Sequence, residues 1–275
     1  SYAFAALMDY PQLWQNWNWS WLLLSVGSPL GRSDYNSLQI GLTKRAAQGL
    51  TANVSYTLSN SHGNVQDYNG GFQETWWSGP IQDVTKLDQE AKTVLFYDQT
   101  HTFKGIVSWN LPFGRGKRFL SNAGREANAF IGGWTLSSAF RYNSGWPLGV
   151  NSNNWYPGWD VIYANVNTNG DFSRQFDAAS FNQANPADPA NRYFDGSNFS
   201  NPAYGELGTG PMYVSQLRTF GTSREDIGLL KDFRFAERFR IQFRFEFYNL
   251  FNRHYFNWPV TEIGSPLFGN VTSTN

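Results

Sequence analysis

Arg238-Phe-Arg-Ile-Gln-Phe-Arg-Phe-Glu-Phe-Tyr248 is the stretch whose reading decides the fold. Phe239, Ile241, Phe243, Phe245 and Phe247 fall on one parity, and Arg238, Arg240, Gln242, Arg244, Glu246 and Tyr248 on the other. A period of two is the signature of a β-strand with one apolar and one polar face. The residues just before it repeat the pattern, with Ile227, Leu229, Phe233 and Phe235 against Gly228, Leu230, Asp232 and Arg234. Lys231 is the one charge on that apolar side, and a place near a membrane interface, where its stem can snorkel, would accommodate it. The two strands form a hairpin whose loop must be odd in length, because an even turn would run the apolar row of one strand into the charged row of the next. A loop from Phe235 to Glu237 sets Phe233 beside Phe239 and Asp232 beside Arg240, and that is the register expected.

Four earlier segments show the same period. Leu38, Ile40 and Leu42 alternate with small polar residues, as do Leu50, Ala52, Val54, Tyr56 and Leu58. Phe103, Val107, Trp109, Leu111 and Phe113 make a third row; Trp134, Leu136, Phe140, Tyr142 and Trp146 make a fourth. Each run is roughly ten residues, the length a tilted strand needs to cross a bilayer. Short connections (Arg45 to Gly49, Ala236 to Glu237) alternate with long ones (Asn60 to Thr100, Pro147 to Ser223), and the Gly114 to Ala129 link is intermediate and basic. Short turns on one rim and long loops on the other characterise outer-membrane barrels, so the expected fold is an all-β, antiparallel transmembrane β-barrel with long extracellular loops. Six or seven strands make only part of such a barrel, the smallest of which use eight. Trp14, Trp17, Trp19 and Trp21 suggest an interfacial girdle or a further strand.

Composition narrows the classes. In 275 residues, Lys+Arg and Asp+Glu both number 21, which excludes a broad basic nucleic-acid-binding surface. Aromatic residues make up 18% of the chain, so much ring surface must be covered by protein, lipid or ligand. Mean hydropathy is -0.47 and no run of 18 apolar residues exists, which excludes a bundle of membrane helices but not a barrel, whose strands show lipid only every second residue. Without cysteine there is no disulfide framework and no thiolate metal site. The chain opens on Ser-Tyr with no charged-then-apolar leader, the expectation for a mature form or an excised piece.

No signature of catalysis emerges, and the chain is not expected to be an enzyme or to carry a cofactor. His62, His101 and His254 lack metal-ligand spacing, and there is no phosphate-binding glycine loop and no nucleophile elbow. The segment Asn165 to Asp171 looks like the start of a calcium loop, but its twelfth position is Phe176 where a bidentate carboxylate belongs; an Asn/Gly turn explains it better. Trp76, Trp77, Trp155, Tyr156, Trp159 and Asp160 in the long loops are the candidates for holding a sugar, polyphenol or peptide by stacking and hydrogen bonding, with packing of the loops against one another as the alternative. Among the strand residues, Phe239, Ile241, Phe243, Phe245 and Phe247 are assigned to lipid, and Arg238, Arg240, Arg244 and Glu246 to a polar lumen. A soluble, secreted all-β domain that binds or hydrolyses polysaccharide is the rival, and it requires the same apolar row to be buried against a second sheet. A passive porin or adhesin barrel is a third reading.

Glu246-Phe-Tyr-Asn-Leu-Phe-Asn252 after an Arg-rich alternating strand, Leu111-Pro-Phe-Gly-Arg-Gly-Lys-Arg-Phe119, Gly132-Gly-Trp134, Ser144-Gly-Trp-Pro147 and Ser265-Pro-Leu-Phe-Gly269 occur in an order that resembles the C-terminal part of TonB-dependent outer-membrane receptors. The Oar-like branch, whose full members carry a carboxypeptidase-regulatory-like domain, is the nearest pattern, and Asp34 to Gln39 and Lys44-Arg45 fit it too. The resemblance spans roughly Tyr10 to Ser273. It implies a barrel of about 22 strands filled by a plug, with energy delivered by TonB, and import of a bulky nutrient such as an oligosaccharide, metal chelate or peptide. Under it, residues 1–275 are the C-terminal segment of such a barrel in the outer membrane of a Gram-negative cell, the plug and earlier strands being absent.

Overall fold

The computed structural model describes residues 32–63, 93–154, 163–235 and 239–274. Six long strands form one antiparallel sheet: β1 (Ser33–Ala47), β2 (Leu50–Gly63), β3 (His101–Asn110), β4 (Trp134–Asn143), β9 (Thr222–Phe235) and β10 (Phe239–Phe247), each bonded to the next in that order. Between β3 and β4 lies one short helix, α1 (Arg125–Ile131). Between β4 and β9 the chain makes two small ribbons, β5 (Pro147–Leu148) with β8 (Val214–Arg218) and β6 (Asn165–Val166) with β7 (Phe199–Ser200). Among the described residues β1 and β10 do not pair, so the sheet stays open. No helix among them is long and apolar enough to cross a membrane.

Each strand forms where alternation predicts it, and the register joins the apolar rows into one continuous face. Leu42, Val54, Gly105, Phe140 and Glu225 sit opposite one another across five strands, and Leu50, Trp109, Leu136, Leu229 and Phe245 do so across the other end. Because side-chain direction alternates along a regular strand, the even positions of β1 up to Lys44, of β2 and of β4 and the odd ones of β3, β9 and β10 therefore face the same way. Gly105 has a packing reason within this row: a Cβ there would come within 2.6 Å of the Phe140 ring, which lies over it and packs at a tilt against Phe103 at 5.2 Å. Aromatic residues end the belt on both rims, Trp109 and Trp134 at one, Tyr56 and Tyr142 at the other.

Strands β1 and β2 turn at Gln48 and Gly49, both with positive φ (55° and 76°), the backbone that a tight two-residue hairpin requires. Strands β1, β2 and β9 are longer than the apolar rows suggest, at 15, 14 and 14 residues, because polar segments such as Ser33–Ser37 and Thr222–Asp226 extend them on the long-loop side. The β9–β10 hairpin is odd, as parity demands, but its register is corrected by one pair. Phe239 lies opposite Phe235, Ile241 opposite Phe233 and Gln242 opposite Asp232, so the loop is residues 236–238. Asp232 nevertheless binds Arg240, diagonally, through bonds of 3.0 and 2.7 Å, and Gln242 donates to it at 3.0 Å. A long guanidinium reaches the diagonal neighbour, so charge pairing did not distinguish the two registers.

The buried core of the molecule is not under the sheet. Leu148, Val150, Ala164, Tyr193, Phe194, Leu217 and Val271 pack together in a cap built from the β4–β9 excursion and the C-terminal segment, both on the long-loop rim. Its rings meet edge to face, Tyr193 on Phe220 at 4.8 Å and Phe176 on Phe256 at 4.9 Å. Asn191, fully buried, is satisfied from all sides: its Nδ2 donates to the carbonyls of Asn182 (2.8 Å) and Asn185 (3.0 Å), and its Oδ1 accepts from the Asn182 amide (2.8 Å). Burial pushes the Tyr193 phenol up to about 12, and its hydroxyl donates to the Arg218 carbonyl. Arg218 in turn binds the buried carboxylate of Asp98 at 2.8 Å, while Asp98 Oδ1 accepts from the Ser61 amide, which ties the cap to the outer end of β2.

Candidate functional site

The apolar row of β10 is exposed along its length, with Phe239, Ile241, Phe243, Phe245 and Phe247 between 48% and 69% accessible. The rival soluble fold needed this row buried against a second sheet, and no second sheet covers it among the described residues. Lys231, on the same face, does not snorkel to water. It is buried: its ammonium donates to the carbonyls of Phe130 and Gly132 at the C-terminal end of α1 and lies over the rings of Trp134 (5.2 Å) and Phe233 (4.7 Å). Carbonyls at a helix C-terminus carry partial negative charge and suit a cation. Glu225 is another charge on this face, not indicated by the apolar pattern because that pattern begins only at Ile227. Arg253, reaching back from beyond β10, holds it through two bonds of 2.8 and 2.7 Å.

On the opposite, polar face the charges fall into two zones. Toward the short-turn end, each carboxylate has its cation: Asp232 with Arg240 at 2.7 Å and Glu246 with Arg244 at 3.5 Å. The Tyr248 hydroxyl also donates to Glu246, at 2.9 Å. Arg238 lies outside the described residues. Nearer the long-loop end, Lys104, Arg141 and Arg224 stand directly opposite one another on β3, β4 and β9. Only Arg224 has a carboxylate, Asp226 at 3.1 Å; Arg141 bonds the Asn143 amide oxygen at 3.3 Å. Like charges in directly opposed positions repel, and among the described residues Asp226, paired with Arg224, is the carboxylate that offsets this row. It borders a concavity of about 340 Å³ that also has Asn53, Ser55 and Ala139 in its wall. The rows beside it offer hydroxyls and amides, Thr57, Thr102, Asn143 and Thr222.

A second hollow of about 260 Å³ opens where the strands meet the cap, with Gln99, Thr219, Tyr255 and Asn257 in its wall and Trp146 and Trp258 edge to face at 5.7 Å. Both indoles are about two-fifths exposed. Rings beside amides are the chemistry that the long-loop candidates suggested, found here on other residues. Trp76, Trp77, Trp155, Tyr156, Trp159 and Asp160 themselves, like Trp14 to Trp21, lie outside the described residues. The calcium-like segment is a turn: Asn165 Oδ1 accepts from the Thr209 amide, Asn167 Oδ1 from the Asn169 amide, and the Gly170 amide bonds the Asn167 carbonyl. Among the described residues no cluster of three or more His, Asp or Glu could hold a metal ion.

An exposed apolar face, a polar face behind it, ring-bearing strand ends and loops on one rim define the wall of a membrane β-barrel. A family model described as an outer membrane beta barrel domain matches residues 10–275, and the chain belongs to that family. It is therefore an outer-membrane protein, and the soluble secreted reading falls. Neither the curated proteins nor the solved structures yield a match.

Proposed function

We propose that the chain is the C-terminal part of the wall of a TonB-dependent active transporter that imports a bulky nutrient, with no catalytic role of its own. In this reading the apolar face meets outer-membrane lipid, the polar face lines the lumen, the cap surrounds the outer mouth, and energy arrives from the TonB system through a plug carried elsewhere in the protein. The row of Lys104, Arg141 and Arg224 carries the finer choice among cargoes. Two of these cations, Lys104 and Arg141, have no carboxylate partner among the described residues, and such a surplus near the outer end of the lumen favours an anionic cargo, a negatively charged metal chelate or acidic peptide, over a neutral oligosaccharide.

Uptake by cells producing the whole protein tests this. Labelled ferric citrate and a labelled neutral maltooligosaccharide are supplied with and without TonB. Uptake that stops when TonB is removed supports active transport, and uptake that continues establishes a passive pore instead. Replacing Lys104 and Arg141 by Glu should abolish ferric citrate uptake and leave the protein's amount in the membrane unchanged; equal loss for the neutral sugar would refute the anionic cargo while leaving the transporter standing.

A further inference from the structure

We infer that the β3–β4 connection, residues 111–133, is a foot that binds the anionic phospholipid headgroups of the membrane leaflet on the short-turn side. Its charge is one-sided. Arg115, Lys117, Arg118 and Arg125 are exposed and make no ion pair among the described residues, and Glu126 is the single carboxylate in the segment. Its apolar side chains point outward as well: Phe113, Phe119 and Leu120 are 40%, 47% and 59% exposed, and Phe130, at 75%, is the most exposed of the large hydrophobic residues described. The Arg118 guanidinium lies 5.5 Å over the Phe119 ring, so cation and ring present a joint surface.

This surface is built rather than slack. The Arg115 amide donates to Asn128 Oδ1 at 2.6 Å, the Gly114 and Phe119 amides bond the carbonyls of Phe119 and Pro112, and the Phe113 and Phe119 rings meet at 5.5 Å. Leu120 holds a positive φ of 59°, a conformation unfavourable for a branched apolar residue, and it keeps the side chain turned to solvent. The whole unit is fixed against the apolar side of the sheet, because the carbonyls that end α1 accept from Lys231 and from the Trp134 indole (2.8 Å), both residues of that face. Trp109 and Trp134 mark the end of the apolar belt there. Rings and cations held beside a lipid-covered face, at the depth where the belt ends, meet acyl chains on one side and phosphates on the other. Water alone would leave the rings exposed and the cations unmatched.

The test uses the whole protein in nanodiscs of phosphatidylcholine alone and of phosphatidylcholine containing about a quarter phosphatidylglycerol, a composition that sets up a negative surface. Amide hydrogen exchange is followed by mass spectrometry. Peptides covering 113–131 should exchange at least about tenfold more slowly in the anionic discs, and high salt should remove the difference. The variant R115Q/K117Q/R118Q/R125Q should exchange there as in neutral discs, with β3 and β4 unchanged. Equal exchange of the unaltered protein in both discs would overturn the inference, and this comparison needs no variant to fold. Protection of the same size from inorganic phosphate in detergent, or protection that appears only with a periplasmic extract, would overturn it too, the first indicating a free anion and the second a protein partner.

Discussion

Replacing Phe243 with Arg asks the most of the two-faced wall. Phe243 is the middle residue of β10, half exposed, with its ring edge to face on Phe233 at 5.7 Å. Four residues separate it from either strand end, and at about 3.3 Å per residue with a tilt near 45° that is roughly 9 Å of membrane depth, beyond what an arginine stem can span. The guanidinium would remain in hydrocarbon, at a cost of about 2–4 kcal/mol, or a roughly 30- to 800-fold loss in the ratio of inserted to uninserted protein. Gln242, next in the chain but on the polar face beside Asp232, is the matched control, and Arg there should cost close to nothing. The assay is the amount of protease-resistant, heat-modifiable protein in the outer-membrane fraction. Wild-type amounts of the Phe243→Arg variant, or equal losses for both variants, would refute the assignment of faces.

Three further outcomes follow from the contacts. Arg253→Met strands the Glu225 carboxylate on the apolar face and should lower the midpoint of unfolding, and adding Glu225→Gln should restore part of it; purely additive effects in that cycle would show the pair is uncoupled. Asn191→Ala leaves the amide and carbonyl of Asn182 in the cap without partners, while the Asn185 carbonyl keeps the Asp188 amide, and should cost about 2–3 kcal/mol, read as faster proteolysis of the cap with the strands still protected. Amide donors from Ser173, Ala190 and Ser197 hold the carboxyls of Asp171, Asp188 and Asp195 below their ordinary value of 3.8. Groups with a depressed folded pKa stabilise above the ordinary value and lose that contribution as pH falls through the folded one, so the cap should open to hydrogen exchange below about pH 4 before the strands do.

The strands were legible because lipid on one side and water on the other impose a strict period on the sequence, and all six stand where alternation puts them. What alternation cannot carry was missed. The outer ends of β1, β2 and β9 are largely polar on both faces, so alternation does not reveal that β9 reaches Thr222 and carries Glu225 on the apolar face. The row of Lys104, Arg141 and Arg224 depends on three cross-strand registers, and sequence separations of 37 and 83 residues hide it. The hairpin parity was readable from facing rows, whereas its exact pairing was not, since Asp232 reaches Arg240 in either register. The cap is irregular backbone organised by Asn and Asp side chains, a kind of order with no period to detect.

The hydrophobic cluster of the cap has one more consequence. Wall and outer lobe are stabilised by different surroundings, the first by acyl chains, the second by its own rings, and they meet through a few contacts such as Asp98 with Arg218. Substitutions that reshape the lobe need not disturb the match between strands and bilayer, so the outer surface can be altered over generations while the structure that keeps it seated in the membrane is left alone.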